Sequence, residues 1–304
     1  MELSLTLLIQ TIIIFILIAV GFTLSKLGKL DETGTKQMTT ILLSIVTPCV
    51  LIYSYQQKSF NLSLAKNLGL AALVTLIVHL VAILIATLYF KKEETNRYRI
   101  NIFASVYSNC GFMAIPLLTA TLGEDGVFYG AMYLVIFTIC YWIHGPYLFT
   151  GDKSNLKPSM AVKTPGVIGT GIALLLFVFN IKLPEVIIRP VEFLADMNTP
   201  LAMLILGCYL SKVNFKKVLA NPDIYKVSVL RLILIPILTV YLLKLFGIDP
   251  VVAKSILIPA ACPVATVCTL FAAKFGLDAT YSSEVVSIST IFSILTIPLI
   301  ILLY

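Results

Sequence analysis

Two stretches of this 304-residue chain place helix-breaking and hydrogen-bonding residues inside otherwise apolar sequence. The first runs from Asn101 to Pro116 and carries Asn109, Gly111 and Pro116 near its middle. The second runs from Ser255 to Thr269 and carries Pro259 and Pro263. A proline removes one backbone donor and clashes with the preceding turn. Backbone groups freed in this way cannot stay unpaired in hydrocarbon, so they must face protein, water or ligand. Two such breaks meeting at mid-membrane would aim helix N-termini, with their partial positive charge, at a bound anion. The plainer alternative is a pair of ordinary proline kinks, and the matching position of the two stretches weighs against it.

Ionisable residues inside apolar spans are functional candidates by default. His79, Arg231 and Glu284 are of this kind. An arginine there could offset an anionic substrate, and a histidine could carry a coupling proton. The structural alternatives are a snorkelling arginine, a histidine bonded between helices and an interfacial glutamate. His144 falls near the end of its span, at a headgroup interface, and Asp196 and Asn198 precede Thr199-Pro200.

The elements that must position these residues follow from composition. The chain is 59% hydrophobic and only 12% charged, too apolar for a water-soluble globular enzyme to cover with polar surface. Spans of roughly 20 apolar residues can be read at 4–25, 37–55, 67–90, 100–121, 126–149, 165–181, 190–210, 224–243, 251–273 and 280–303. The expected fold class is therefore an all-α polytopic membrane protein of ten transmembrane helices. Period-2 strands are absent, which excludes a β-barrel. The first span lacks a basic flank and a cleavage site, so it reads as a retained helix. Gly123-Glu-Asp-Gly and Gly276-Leu-Asp read as turns between helices.

The six cysteines form no CxxC pair, so neither a disulfide framework nor a zinc site is indicated. No P-loop, GxSxG or HExxH occurs, so no ATP-driven motor, hydrolase or cofactor is expected. The net charge of +7 is a matter of topology. Fifteen basic residues, among them Lys91, Lys92, Lys153, Lys157, Lys216, Lys217 and Lys274, fall in the odd-numbered loops, against six on the opposite side. That asymmetry puts both termini outside and the 150–164 linker in the cytoplasm. Basic residues divided among short loops imply no nucleic-acid partner.

The linker divides the spans into five and five. A shift of about 152 residues lays Thr47-Pro48 on Thr199-Pro200, Tyr129 on Tyr281, Thr138 on Thr290 and Pro146 on Pro298. The same shift pairs His79 with Arg231. An odd number of spans per copy makes the copies face opposite ways, and inverted repeats of this kind mark transporters.

Asn109-Cys-Gly-Phe-Met-Ala-Ile-Pro-Leu-Leu118 with Leu122-Gly123 closely resembles the fourth-helix motif of the auxin efflux carrier family, which includes the plant PIN proteins and bacterial relatives. Ala261-Cys-Pro-Val-Ala-Thr-Val-Cys-Thr-Leu-Phe-Ala-Ala-Lys-Phe-Gly276 resembles its ninth-helix motif, and Ser289 to Pro298 continues the match. The resemblance implies two inverted five-helix repeats, as in sodium/bile-acid symporters, with helices 4 and 9 broken and crossing. It further implies a dimerising scaffold of helices 1, 2, 6 and 7. Helices 3–5 and 8–10 form a transport domain that moves against it as an elevator. A carboxylate substrate would bind at the crossing, which puts Asn109, Cys110, Gly111, Pro116, Pro263 and Val264 at the site. The plant proteins often carry a long loop between helices 5 and 6, whereas this chain has about fifteen residues there. That departure argues for a bacterial-type carrier and against auxin as cargo. A sodium-coupled symporter of bile-acid type and a non-transporting membrane sensor are the rival readings.

Overall fold

The computed structural model describes residues 2–90, 97–152, 158–212 and 221–304. Lys91, Lys92, Lys153, Lys157, Lys216 and Lys217, all used in the orientation count, lie outside the described residues, as does the centre of the 150–164 linker. The described residues are helical and contain no strand, only one isolated bridge.

Apart from a short helix at Pro158–Val162, the helices in chain order are α1 (Glu2–Lys26), α2 (Glu32–Gln56), α3 (Leu62–Tyr89), α4a (Arg97–Val106), α4b (110–122) and α5 (124–150), followed by α6 (Pro165–Val178), α7 (Glu185–Leu210), α8 (Pro222–Leu245), α9a (Pro250–Ala261), α9b (Val267–Lys274) and α10 (Ala279–Ile301). Six helical stretches are long and apolar enough to cross a membrane unaided, namely α2, α3, the continuous 110–150 stretch, α7, α8 and α10. Shorter apolar helices lie at Ile12–Lys26, Pro165–Val178 and Pro250–Ala261. The chain is thus an all-helical, multi-pass membrane protein.

Asx side chains cap the starts of α2, α3, α8, α9a and α10, where a first-turn amide lacks a partner within the helix. Asp31 accepts from Gly34 N–H at 2.7 Å, Asn61 from Ser63 N–H at 2.7 Å, and Asp278 from Tyr281 N–H at 2.9 Å. The expected turns fall where the glycines stand: Gly123 (φ 60°) separates α4b from α5, and Gly276 (φ 71°) lies between α9b and α10.

Pro263 stands in the break of helix 9, as expected, but Pro116 acts differently. Pro116 does not break helix 4; the break lies upstream, at 107–109. Pro116 instead follows a widened π turn, Cys110–Ala114. The same pairing occurs in α2, where Leu42–Val46 precedes Pro48, and in α8, where Leu230–Leu234 precedes Pro236. A π turn moves the carbonyl that a proline ring would strike and needs no donor from the ring nitrogen, so the helix continues.

Packing separates two groups of helices. α1 lies along the second half of α7, Asn198–Leu210, and the Thr47–Gln56 half of α2 lies on α6 and on Glu185–Asp196. Gly21 and Gly207 let α1 and α7 touch, since a Cβ on either would strike the other helix's backbone. Elsewhere α5 packs on α3 and α9a, and α9b packs on α10.

Candidate functional site

The two breaks meet. Ser108 pairs with Val264 in a one-residue antiparallel bridge. Asn109 N–H donates to the Pro263 carbonyl at 2.7 Å, and Ala265 N–H donates to the Tyr107 carbonyl at 2.9 Å. Val264 N–H donates to Ser289 Oγ on α10 at 3.1 Å. The amides of Asn109, Val264 and Ala265, freed inside the breaks, are therefore spent on protein. Each break finds its acceptors in the other or in α10, because hydrocarbon offers none.

The carbonyl side of the crossing is closed by Arg231. This side chain is fully buried, and its Nη1 donates to the carbonyls of Val106 at 2.7 Å and Ser105 at 3.3 Å. Nη2 donates to the Ala260 carbonyl. These carbonyls end α4a and α9a, where helix dipoles place partial negative charge. One guanidinium thus caps two half-helices, and it does not line the adjacent cavity.

His79 is equally buried, at 1% exposure. Its Nδ1 lies 2.8 Å from the Thr75 carbonyl, so Nδ1 carries the hydrogen and Nε2 presents an unpaired lone pair. The ring stands 5.1 Å from that of Tyr133, whose hydroxyl is 3.3 Å from Ser108 Oγ. His144 is half-buried, with Nδ1 3.0 Å from the Tyr107 hydroxyl. Glu284 is half-buried in α10. Asn198 is buried with both amide atoms unpaired.

The amide side of the crossing opens on a cavity of about 440 Å³. Asn109, Gly111 and Phe112 line it from α4b and Ala265, Thr266 and Val267 from α9b, so both half-helix N-termini border the space. A helix's first amides have no partner within it. Asn109 is 2% exposed and its Nδ2 is unpaired. A Cβ at Gly111 would meet nothing within 4 Å. Of the six substrate residues expected from the sequence, Asn109 and Gly111 line the cavity. Cys110, Pro116, Pro263 and Val264 are buried behind it and shape the backbone.

The cavity is also lined by Thr47, Trp142, Tyr209 and Lys274, to which sequence reasoning gives no role at the site. Trp142 Nε1 and Thr47 Oγ1 are buried without partners. Lys274 is the only charged side chain among the described residues lining the space. The one signal available was that Trp142 is the chain's single tryptophan. In the sequence alone Lys274 reads as a loop charge.

An all-helical membrane protein with two broken helices crossing beside a donor-rich cavity has the form of a transporter. The chain belongs to the family described as Membrane transport protein, matched over residues 6–164 and 155–301, and with it to the auxin efflux carriers. Its relatives include an uncharacterized transporter of Methanocaldococcus jannaschii, 25% identical over 95% of this chain and 96% of that protein. Another, an uncharacterized transporter of Methanothermobacter thermautotrophicus, is 24% identical over 94% of each chain. A third, from Rhizobium meliloti, bears the name "Putative malonate transporter" and is 22% identical over 93% of this chain and 91% of its own length.

Proposed function

We propose that this protein is a secondary transporter that moves a small organic carboxylate across the cytoplasmic membrane by alternating access, holding it at the α4/α9 crossing. The observation that carries this reading is the cavity's chemistry. Its unpaired buried side-chain nitrogens, Asn109 Nδ2 and Trp142 Nε1, are both donors, and its charged side chain is Lys274. A carboxylate accepts from each of these groups and from the half-helix amides. The name of the Rhizobium meliloti relative adds support for a substrate of malonate's class.

Ten crossings in two inverted repeats, with helices 1, 2, 6 and 7 as a dimer scaffold and the rest as an elevator-like transport domain, form part of the same proposal. The contacts of α1 with α7 and of α2 with α6 and α7 support that grouping. Both termini lie outside, and reporter activity of a fusion at Tyr304 reads this directly. Native mass spectrometry reads the dimer. His79, with a lone pair free at Nε2, is the proposed proton carrier, and Glu284 is a second candidate at the interface. Sodium coupling at the crossing has less support. Unwound carbonyls are what would bind the ion, and those of Ser105, Val106 and Ala260 already accept from Arg231.

The test is counterflow of labelled malonate and acetate in proteoliposomes, with sodium or choline and with or without a pH gradient. Carboxylate flux that ignores sodium is expected. Folded protein that moves no carboxylate sinks the reading, and flux that requires sodium moves the protein to the symporter alternative.

A further inference from the structure

Lys274 and Trp142 sit at the end of the cavity away from the crossing. Val267 opens and Lys274 closes the same helix, α9b, so the two are separated by about 10 Å of helical rise. Helical side chains lean toward the N-terminus. The lysine stem can therefore bring its ammonium about one turn, roughly 5 Å, back toward the crossing.

Lys274 is exposed, as a lysine beside a membrane ordinarily is. Here the Lys274 ammonium lies 5.7 Å from the centre of the Trp142 ring and 5.8 Å from that of Phe275. Among the described residues it has no carboxylate partner. The indole Nε1–H is buried beside the Tyr141 hydroxyl and reaches no acceptor with full hydrogen-bond geometry. A desolvated donor and an unpaired cation thus border the same space, at a distance from a second unpaired donor, Asn109 Nδ2.

We infer that Lys274 and Trp142 form a second anion contact, so that the preferred substrate is a dicarboxylate spanning from the crossing to the cavity mouth. The inference rests on the carboxylate reading above. One carboxylate accepts from Asn109 and the half-helix amides; the other accepts from Trp142 Nε1–H and meets the Lys274 ammonium. The indole face holds that ammonium in place by cation–π attraction. Monocarboxylates fill the first contact and leave the second unpaired, which makes Lys274 a specificity-determining residue.

Succinate and butyrate share a four-carbon chain and differ by one carboxylate, so they isolate the second contact. Their affinities for the purified, monodisperse protein are to be measured by calorimetry at low and high salt. Wild type should bind succinate at least about tenfold more tightly than butyrate, the scale of one charge-assisted contact. Lys274→Met should remove that advantage and leave butyrate within about twofold of wild type, and Lys274→Arg should keep most of it. Trp142→Phe keeps the ring, loses the N–H and should weaken succinate selectively. Equal losses for both ligands in Lys274→Met overturn the inference, as does a succinate preference that vanishes at high salt, the mark of mere steering. Asn109→Ala separates the two readings. It should weaken both ligands; if it changes neither, the crossing does not bind carboxylates, whatever Lys274 does.

Discussion

On one side of the crossing, the carbonyls of Ser105, Val106 and Ala260 converge on Arg231. On the other, Asn109 Nδ2, Trp142 Nε1 and the N-terminal ends of α4b and α9b border open space. The two sides come from the same two breaks, yet one is saturated by a side chain of the protein and the other is left short of acceptors. Leaving a buried donor unpaired costs about 1–3 kcal/mol. The fold spends Arg231 on the carbonyls of one face and leaves Asn109 Nδ2 and Trp142 Nε1 unpaired on the face that borders the cavity, where something arriving from outside can meet them. The contrast assigns Arg231 to holding the breaks together and Asn109 to meeting the substrate.

The strongest way to break the comparison is Arg231→Met. It leaves three buried carbonyls without a donor, at about 1–3 kcal/mol for each that finds no replacement. A large fall in melting temperature in detergent is expected, and Arg231→Lys should recover only part of it, because a single ammonium lacks the planar fork. If the methionine variant melts like wild type and only loses substrate, Arg231 belongs to the binding side after all.

Asn109→Ala should do the reverse. Its Nδ2 is unpaired already, so stability should hold while carboxylate affinity drops by about five- to 150-fold, equivalent to about 1–3 kcal/mol. Thermal melts and binding isotherms on the same sample separate the two effects. A variant that loses stability but not affinity would reassign Asn109 to the scaffold of the crossing.

The smallest effect sharpens the picture of the cavity. Gly111→Ala adds a methyl group where no heavy atom lies within 4 Å. Helical propensity favours alanine over glycine by about 1 kcal/mol, so the variant should melt at the same temperature or slightly higher. A marked loss of stability would mean that Gly111 faces protein.

Much of this was legible along the chain. Long apolar runs carry their own evidence, because a bilayer demands a fixed length of them. The Asx caps and Gly turns were equally readable, since each acts on its immediate neighbours. The break in helix 4 was displaced: Pro116 drew attention by its chemistry, but a π turn absorbs it, and the chain opens instead at Tyr107–Asn109. Trp142 and Lys274 were missed because their meaning depends on what stands across the cavity, and no motif links either to Asn109. Arg231 was noticed for the right reason, a charge inside an apolar span, with its partner left open. Its partners are backbone carbonyls from two other helices, groups that every residue possesses and that no residue type announces.

The sequence by itself determined that this chain lives in a membrane, that its helices start and turn where they do, and that it resembles a family of carriers. Those properties are local: hydropathy, propensity and capping act within a few turns of helix. Tertiary structure decided which freed backbone groups pair with each other, which ones Arg231 covers and which remain open to a cavity. That division is a matter of geometry between segments more than a hundred residues apart, as in the bond from Asn109 to Pro263. A hydrogen bond exists only at a few ångströms and a narrow range of angles, and no spacing along one chain encodes those.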